Sequence, residues 1–508
     1  MAKQASTPSP KAQIIRRLGP FECFQSAMFT LDLYCGTSVI CRYGIPENLR
    51  DRSLHEKLVE FFENAVADTI LQHPLLQVGL TDRDTKQPAW IQLDHIDLSK
   101  HIQWRVVDES EKYDAIFKKT LQEQLDTKYE SPETRPSWRI IVSRLDTELL
   151  EVMFVWCHLI TDGTGGKIFH ETLFQSLKKG RDETSESICV NHLVKPTATP
   201  QNLPPPQDTI CNFTISPIYA VFLLWNQFKP KMFTPTLAPH KLRAPIHLTP
   251  TGTQSRRLCI DNATLQNVLV ACRAHKTTLT GLLHGICLVS LVSLLKDETP
   301  ATLYSETPLN LRRFIPSGPP GYPEFEPSKT IGNYVSKMDH VYDEALVTKV
   351  RDLARGGSTE SEQIAALEDV MWSVSTTVRE ELQGKLDLNL KNELCGLMKL
   401  VGDYRDYFKG QMMKPRHSSW LVSNLGVIDG GLPSAASLDK QHDWTVERAY
   451  FALGANTMGT TLVISPLAVK NGPLMIGVSW QNEIVDASLG EGAVAGLETW
   501  LNHIGSKK

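Results

Sequence analysis

What this chain lacks narrows it first. Its ten cysteines form no Cys-x-x-Cys pair and no paired Cys/His spacing, which argues against a metal site or a disulfide framework. Positive charge is not in excess: 53 Lys and Arg face 57 Asp and Glu, for a net charge of −4. A nucleic-acid binder carries a basic surplus or stripe, so no nucleic-acid partner is expected. Met1 to Lys11 holds no apolar run of the kind a secretory signal needs. Cys157, Cys259, Cys272 and Cys287 lie in apolar runs and read as small core residues. Together these features predict a reducing, cytoplasmic setting; peripheral membrane or lipid-droplet association is not written in them.

Three signatures of common chemistry are also missing. Asp162-Gly-Thr-Gly-Gly-Lys167 resembles a phosphate loop, but a P-loop needs glycine where Thr161 stands and Ser or Thr where Ile168 stands. No Gly-x-Gly-x-x-Gly opens a helix after a strand. No Gly-x-Ser-x-Gly elbow is present, and Gly477-Val-Ser-Trp-Gln481 lacks the second glycine. Nucleotide-dependent and serine-hydrolase functions are weakened accordingly.

What is present is an ordinary globular composition, 41% hydrophobic and 22% charged, over 508 residues. That length exceeds one compact core, so two domains are expected. Residues 20–44 read as a helical turn and a strand, Leu54 to Leu71 as an amphipathic helix stopped by His73-Pro74, and Tyr113 to Leu125 as a second helix. Leu75 to Leu80, Ala89 to Leu93, Trp138 to Val142 and Leu149 to Cys157 read as strands. The last is a continuous apolar run, as in a strand covered on both faces. A helix over Lys167 to Leu177 is expected behind a glycine-rich turn. Residues 181–255 are rich in Pro, Thr and Ser and predict a crossover linker; within it, the apolar Ile218 to Trp225 would pack on the body or touch a membrane surface. The chain thus divides into 1–180, the linker 181–255, and 256–508, two α/β units. In the second, Thr277 to Leu295 is uncharged over 19 residues and reads as a buried core helix, since Gly281, His284, Gly285, Ser290 and Ser293 interrupt it. Helices at 342–354, 361–383 and 390–407 follow, and three strands, Ser419 to Ser423, Thr460 to Pro466 and Leu474 to Gln481, close the chain.

The chemistry-bearing segment is His158-Leu-Ile-Thr-Asp162-Gly163, at the end of the apolar strand. Histidine's ordinary pKa lies nearest neutrality, so it can take a proton from a hydroxyl or amine and return it. Glycine permits a sharp turn or a close approach. The pattern is short enough to arise by chance, and its context has to support it.

That context is a family resemblance. Arg17-Leu-Gly-Pro-Phe-Glu22 through Val39-Ile-Cys-Arg-Tyr43, then His73-Pro74-Leu75-Leu76, His158-x-x-x-Asp162-Gly163, Asn310-Leu-Arg312-Arg313, Ile331-Gly-Asn-Tyr334 and Ser423-Asn424-Leu425-Gly426 resemble fungal alcohol acetyltransferases, in the same order and over nearly the whole chain. The Asp-Phe-Gly-Trp-Gly motif of the plant branch is absent. The resemblance implies the α/β fold of the chloramphenicol acetyltransferase and condensation-domain superfamily: two pseudo-symmetric lobes with an active-site tunnel between them. It implies acyl-CoA, expected to be acetyl-CoA, as co-substrate, no metal, and an alcohol or amine acceptor, in a protein expected to be a monomer.

By this resemblance His158 is the catalytic base of a direct transfer without a covalent acyl-enzyme. Asp162 pairs with an arginine that braces the loop, Arg312 before Arg313. Gly163 gives the thioester room. Ser423 or Asn424 would stabilise the oxyanion, with Thr460 and Thr461 as weaker candidates; Lys167, Lys414 or Arg416 would meet the CoA phosphates. Alternative readings are an N-acetyltransferase acting on a sphingoid-like amine, a condensation-type enzyme fed by a carrier protein, and a non-enzymatic scaffold of the same fold.

Overall fold

Strand Leu149–Trp156 sets the first half of the molecule, because seven of its eight residues are buried. In the computed structural model, which describes residues 13–107, 113–180, 188–228, 241–247, 252–295, 302–356, 359–432 and 443–507, it lies at the centre of a five-stranded sheet. The order is Thr445–Leu453, Thr37–Gly44, Leu149–Trp156, Trp138–Arg144, Ile102–Val106. Alternation divides its two faces. Val39, Cys41 and Phe154 pack against Leu58, Phe62 and Ile70 of helix His55–Gln72 and Phe169 and Leu173 of helix Gly163–Lys179. Ile40, Met153 and Val155 face the other way, onto Phe117, Leu121 and Leu125 of helix Tyr113–Asp126.

A second sheet runs Thr253–Ile260, Leu474–Gln481, Leu462–Val469, Trp420–Val422, Leu303–Asn310, Val335–Tyr342, with Val427–Ile428 also paired to Leu462–Val469. Its core includes helices Asn262–Ala274, Leu279–Leu294, Glu360–Asp387 and Ala487–Ser506. Leu279–Leu294 crosses Glu360–Asp387 closely, because a Cβ on Gly281 or Gly285 would stand 2.5 Å from the Ser375 or Met371 carbonyl. Among the described residues no single helix is long and apolar enough to cross a membrane; Asn262–Ala274 and Leu279–Leu294 reach that length only as a pair bent by 92°.

The two halves are not divided where the sequence divides them. Thr445–Leu453, inside the expected 256–508 unit, is the edge strand of the first sheet, antiparallel to Thr37–Gly44 with Leu453 opposite Thr37. Buried Phe451 joins the core on one face of that sheet and Tyr450 and Ala452 join the core on the other. The chain then crosses back to enter the second sheet at Leu462. The Pro-rich stretch is likewise not a bare linker. Leu193–Val194 pairs with Ile96–Asp97, the Pro204 carbonyl accepts from Arg16, and the Pro205 carbonyl accepts from the Tyr334 hydroxyl at 2.7 Å. Pro217–Phe228 is a helix with Ile218, Val221 and Phe222 exposed; 181–187, 229–240 and 248–251 of the stretch lie outside the described residues.

Local corrections follow from backbone chemistry. Residues 390–407, read as one helix, are a 3-10 stretch, Leu394–Leu400, and a short helix, Tyr404–Lys409; Asn389 and Asn392 sit at φ +55° and +60° and interrupt the run. Pro74–Gln77 is a 3-10 turn, so the strand read over 75–80 begins at Val78. Val335–Tyr342, Thr445–Leu453 and the closing helix Ala487–Ser506 were not separately expected.

Candidate active site

The loop Cys157–Asp162 joins the central strand of the first sheet to helix Gly163–Lys179. The helix begins at Gly163, so Gly163, Gly165 and Gly166 lie in its first turn rather than in a loop before it. Their use is close approach. A Cβ on Gly165 would stand 1.8 Å from Thr161 Oγ1, and one on Gly166 would stand 2.1 Å from the Trp156 ring. Asp162 is the N-cap, its Oδ1 accepting from Gly165 N at 3.0 Å.

Asp162 Oδ2 takes the other two donors. Arg312 Nη1 lies 2.7 Å away and Tyr334 N 2.8 Å away. Both charged side chains are nearly sealed, with side-chain exposures of 4% for Arg312 and 5% for Asp162. Arg312 Nη2 donates onward to the Gly332 carbonyl at 2.7 Å and the Thr330 carbonyl at 3.2 Å. Thr161 Oγ1 also reaches the Gly332 carbonyl at 3.0 Å. The pair therefore fastens the 157–162 loop of one half to the 310–334 segment of the other. Arg313 is exposed and turned onto the Phe314 ring, 5.9 Å from its centroid.

His158 stands in the turn just before this brace. Its carbonyl and that of Leu159 accept from Asn333 Nδ2 at 2.8 and 2.9 Å. Its Nδ1 is buried with no partner from another residue. The Tyr34 ring lies against the imidazole at 5.7 Å between centroids, its hydroxyl held by Thr37 Oγ1 at 2.6 Å. Burial pushes the His158 pKa below its ordinary value, against the opposing pull of Asp162 and of the residue's own carbonyl. Burial thus favours the neutral imidazole, the form that can accept a proton. Tyr34 and Asn333 were not singled out from sequence. Asn333 lay within a quoted motif, but only the fold brings its amide under the His158 carbonyl.

Leu425, from the second sheet's side, and Phe451, on the edge strand of the first sheet, close over the start of the helix that follows this loop. A Cβ on Gly163 would stand 2.9 Å from Leu425 Cδ2 and 2.8 Å from Phe451 Cζ. Gly163 therefore makes room for those two side chains. Ser423 is buried, with its N–H on the Ile464 carbonyl at 2.8 Å. Asn424 is exposed; its Nδ2 donates to Thr280 Oγ1 at 3.1 Å and its Oδ1 accepts from Gly426 N at 2.8 Å. The Thr460 and Thr461 hydroxyls are spent on the Leu462 and Leu242 carbonyls. Lys167 pairs with Glu171 at 3.6 Å and Lys414 with the Gln411 amide oxygen at 3.2 Å.

Arg416 is not on a rim. It is 1% exposed, and its guanidinium donates to the Asn456 and Gly459 carbonyls at 2.8 and 3.2 Å and to Gln481. Burial lowers its pKa to about 10. It ties down the segment that crosses between the sheets, and that segment's Thr457 rests on the Leu33 carbonyl beside Tyr34. No group of three or more His, Cys, Asp or Glu side chains among the described residues is arranged to hold a metal ion.

A strand-end loop carrying His158, tied by the Asp162–Arg312 pair to the 310–334 segment, lies between the two sheets of a two-lobed α/β fold. Solved structures with this fold include the TRI3 trichothecene 15-O-acetyltransferase of Fusarium sporotrichioides, at TM-score 0.68 and 13% identity, covering 98% of this chain and 97% of that one. The TRI101 protein of F. graminearum, solved with coenzyme A and deoxynivalenol, matches at TM-score 0.53 and 11% identity over 93% and 96%. The epimerization domain of tyrocidine synthetase B matches at TM-score 0.53 and 13% identity over 98% and 100%. The chain itself belongs to the alcohol acetyltransferase family, whose model matches residues 90–491, and it is an acyltransferase. Among curated relatives it is 26% identical to the probable alcohol acetyltransferase FCK4 of Fusarium pseudograminearum, over 97% of this chain and 96% of that protein. It is 23% identical to the probable alcohol acetyltransferase crmB of Aspergillus fumigatus, over 85% and 90%.

Proposed function

We propose that this protein transfers an acyl group, expected to be acetyl, from acyl-CoA to a hydroxyl group of a small-molecule acceptor, with His158 as general base. The observation that carries this reading is the setting of His158: fixed in place through its own carbonyl, without a side-chain partner on Nδ1, and favoured in its neutral form by burial. Its other nitrogen, Nε2, is the one left to take the acceptor's proton.

The step balances without a covalent enzyme intermediate. The acceptor oxygen attacks the thioester carbonyl as Nε2 removes its proton, and the carbon becomes tetrahedral. Collapse breaks the C–S bond, and the proton returns from Nε2 to the CoA sulfur, leaving an ester and free CoA. The developing oxyanion needs a donor. Ser423 is the candidate, because it is buried beside Leu425, which touches the catalytic loop, whereas the Asn424 amide is engaged with Thr280. Asp162 does not contact the reacting atoms in this scheme; it keeps the loop in shape through Arg312.

The test is thiol release from acetyl-CoA by the purified protein with a panel of alcohols and amines. Release with alcohols, abolished in His158→Ala, is expected. A wild-type rate in His158→Ala would overturn the proposal. Release with amines alone would move the acceptor to nitrogen, and turnover only with carrier-bound thioesters would replace CoA as donor.

A further inference from the structure

A cleft of about 210 Å³ opens between helix Pro20–Thr30, the turn at Arg83–Lys86 and the stretch Met398–Arg405. Four basic side chains line it, Arg83, Lys86, Lys399 and Arg405, against a single carboxylate, Asp403. That carboxylate is already engaged: Arg405 bonds both of its oxygens, at 2.8 and 2.9 to 3.1 Å, and holds its pKa at about 2, with Lys86 adding to the effect. Arg83 reaches its nearest acid, Asp84, only at 3.9 Å. Lys86 and Lys399 make no ion pair among the described residues, so the lining keeps a positive surplus. Ser26, 1% exposed, also lines the cleft, and its hydroxyl has no hydrogen-bond partner. A buried hydroxyl left unpaired in the lining of a cleft that also carries unpaired cations is a place where a ligand oxygen would complete the bonding.

We propose that this cleft binds the anionic group, phosphate or carboxylate, of one of the enzyme's two substrates. Its size suits a head group rather than a whole substrate. Its position suits a substrate of the His158 reaction. Ala27 and Tyr404, which line it, belong to the packed cluster that also holds Tyr34, and the Tyr34 ring lies against His158. Packed side chains thus run from the cleft through Tyr34 to the base. The binding claim stands on the cleft alone; only the choice of source, the phosphates of CoA or an acid group on the acceptor, rests on the acyl-transfer reading.

The experiment uses the full chain at low ionic strength, where exposed charges count most. Inorganic phosphate binding is measured by calorimetry for wild type, the Lys86→Ala/Lys399→Ala double variant and Ser26→Ala. The expected result is roughly a tenfold weaker phosphate affinity in the double variant and a smaller loss in Ser26→Ala. Equal affinity in wild type and double variant, or no phosphate binding by wild type, overturns the site whether or not His158→Ala is inactive. Kinetic arms then separate the sources. If CoA supplies the anion, the double variant raises KM for acetyl-CoA but not for the 3′-dephospho form. If the acceptor does, KM rises for an acid-bearing alcohol and not for its neutral analogue. Unchanged KM in both arms overturns the assignment to a substrate.

Discussion

Replacing Asp162 with asparagine separates bracing from chemistry. Three donors converge on this carboxylate: Arg312 Nη1 and Tyr334 N on Oδ2, and Gly165 N on Oδ1. An asparagine can turn its carbonyl oxygen to one side only, and its NH2 then faces a donor on the other. If the oxygen keeps Arg312 and Tyr334, the helix cap is lost, at about 1 kcal/mol. The larger cost is the sealed Arg312 guanidinium left without a counter-charge, for which breaking a buried pair costs about 3–5 kcal/mol. Asp162→Asn should therefore lower stability by several kcal/mol, measured as a reduced urea midpoint at unchanged slope. His158→Ala leaves every one of these bonds in place and should shift stability by about 1 kcal/mol or less, while reducing turnover about 10²–10⁴-fold. An Arg312→Met partner variant completes the cycle: Asp162→Asn should cost far less in that background. Wild-type stability in Asp162→Asn together with a loss of turnover as large as in His158→Ala would refute the bracing argument and make Asp162 a participant in the chemistry.

Other outcomes follow from the same geometry. Gly163→Ala drives a methyl into Leu425 and Phe451 and should destabilise by about 1–3 kcal/mol in a melt, with turnover reduced through the displaced loop; a fully stable, fully active variant would contradict the contact. Asn333→Ala removes two amide bonds to the His158 and Leu159 carbonyls, at about 1–3 kcal/mol, and should lower kcat while leaving KM for acyl-CoA nearly unchanged. Acid should unfold the protein early. Burial lowers His73, His101 and His170 to about 4 from an ordinary 6.5, so the unfolded chain takes up their protons first. The stability they represent is whole above pH 6.5 and lost as the pH falls through about 4, at about 3 kcal/mol for one histidine. Urea titrations at pH 7 and pH 4.5 measure it, and His170→Asn should flatten the difference if the reasoning holds.

Much of this was legible from one-dimensional pattern. The run Leu149 to Cys157 has no polar interruption except Glu151, and such a strand is stable only when both faces are covered, so its central place followed from burial alone. The amphipathic spacing of Leu58, Phe62 and Ile70 placed a helix for a similar reason: its apolar stripe needs a sheet beneath it. The order of short motifs carried the family. The histidine's place at a strand end was likewise readable, because the end of an apolar run is a local feature.

Tertiary structure decided what depends on distance through space. Thr445–Leu453 belongs to the sheet it does not follow in sequence, since hydrogen-bonded partnership is set by which edge is free and not by chain order. The glycines after Asp162 read as a turn, yet they serve a helix pressed against Thr161 and Trp156, a crowding that no spacing rule reveals. Arg416 read as a surface cation for CoA and proves to be buried on carbonyls. Above all, the downward shift of the His158 pKa comes from desolvation, and the shape of its loop from Asn333 and the Asp162–Arg312 pair. The sequence by itself singled out His158 through residue type and ordered motifs; only the packing around it supplies the burial that shifts its proton affinity below that of an exposed histidine.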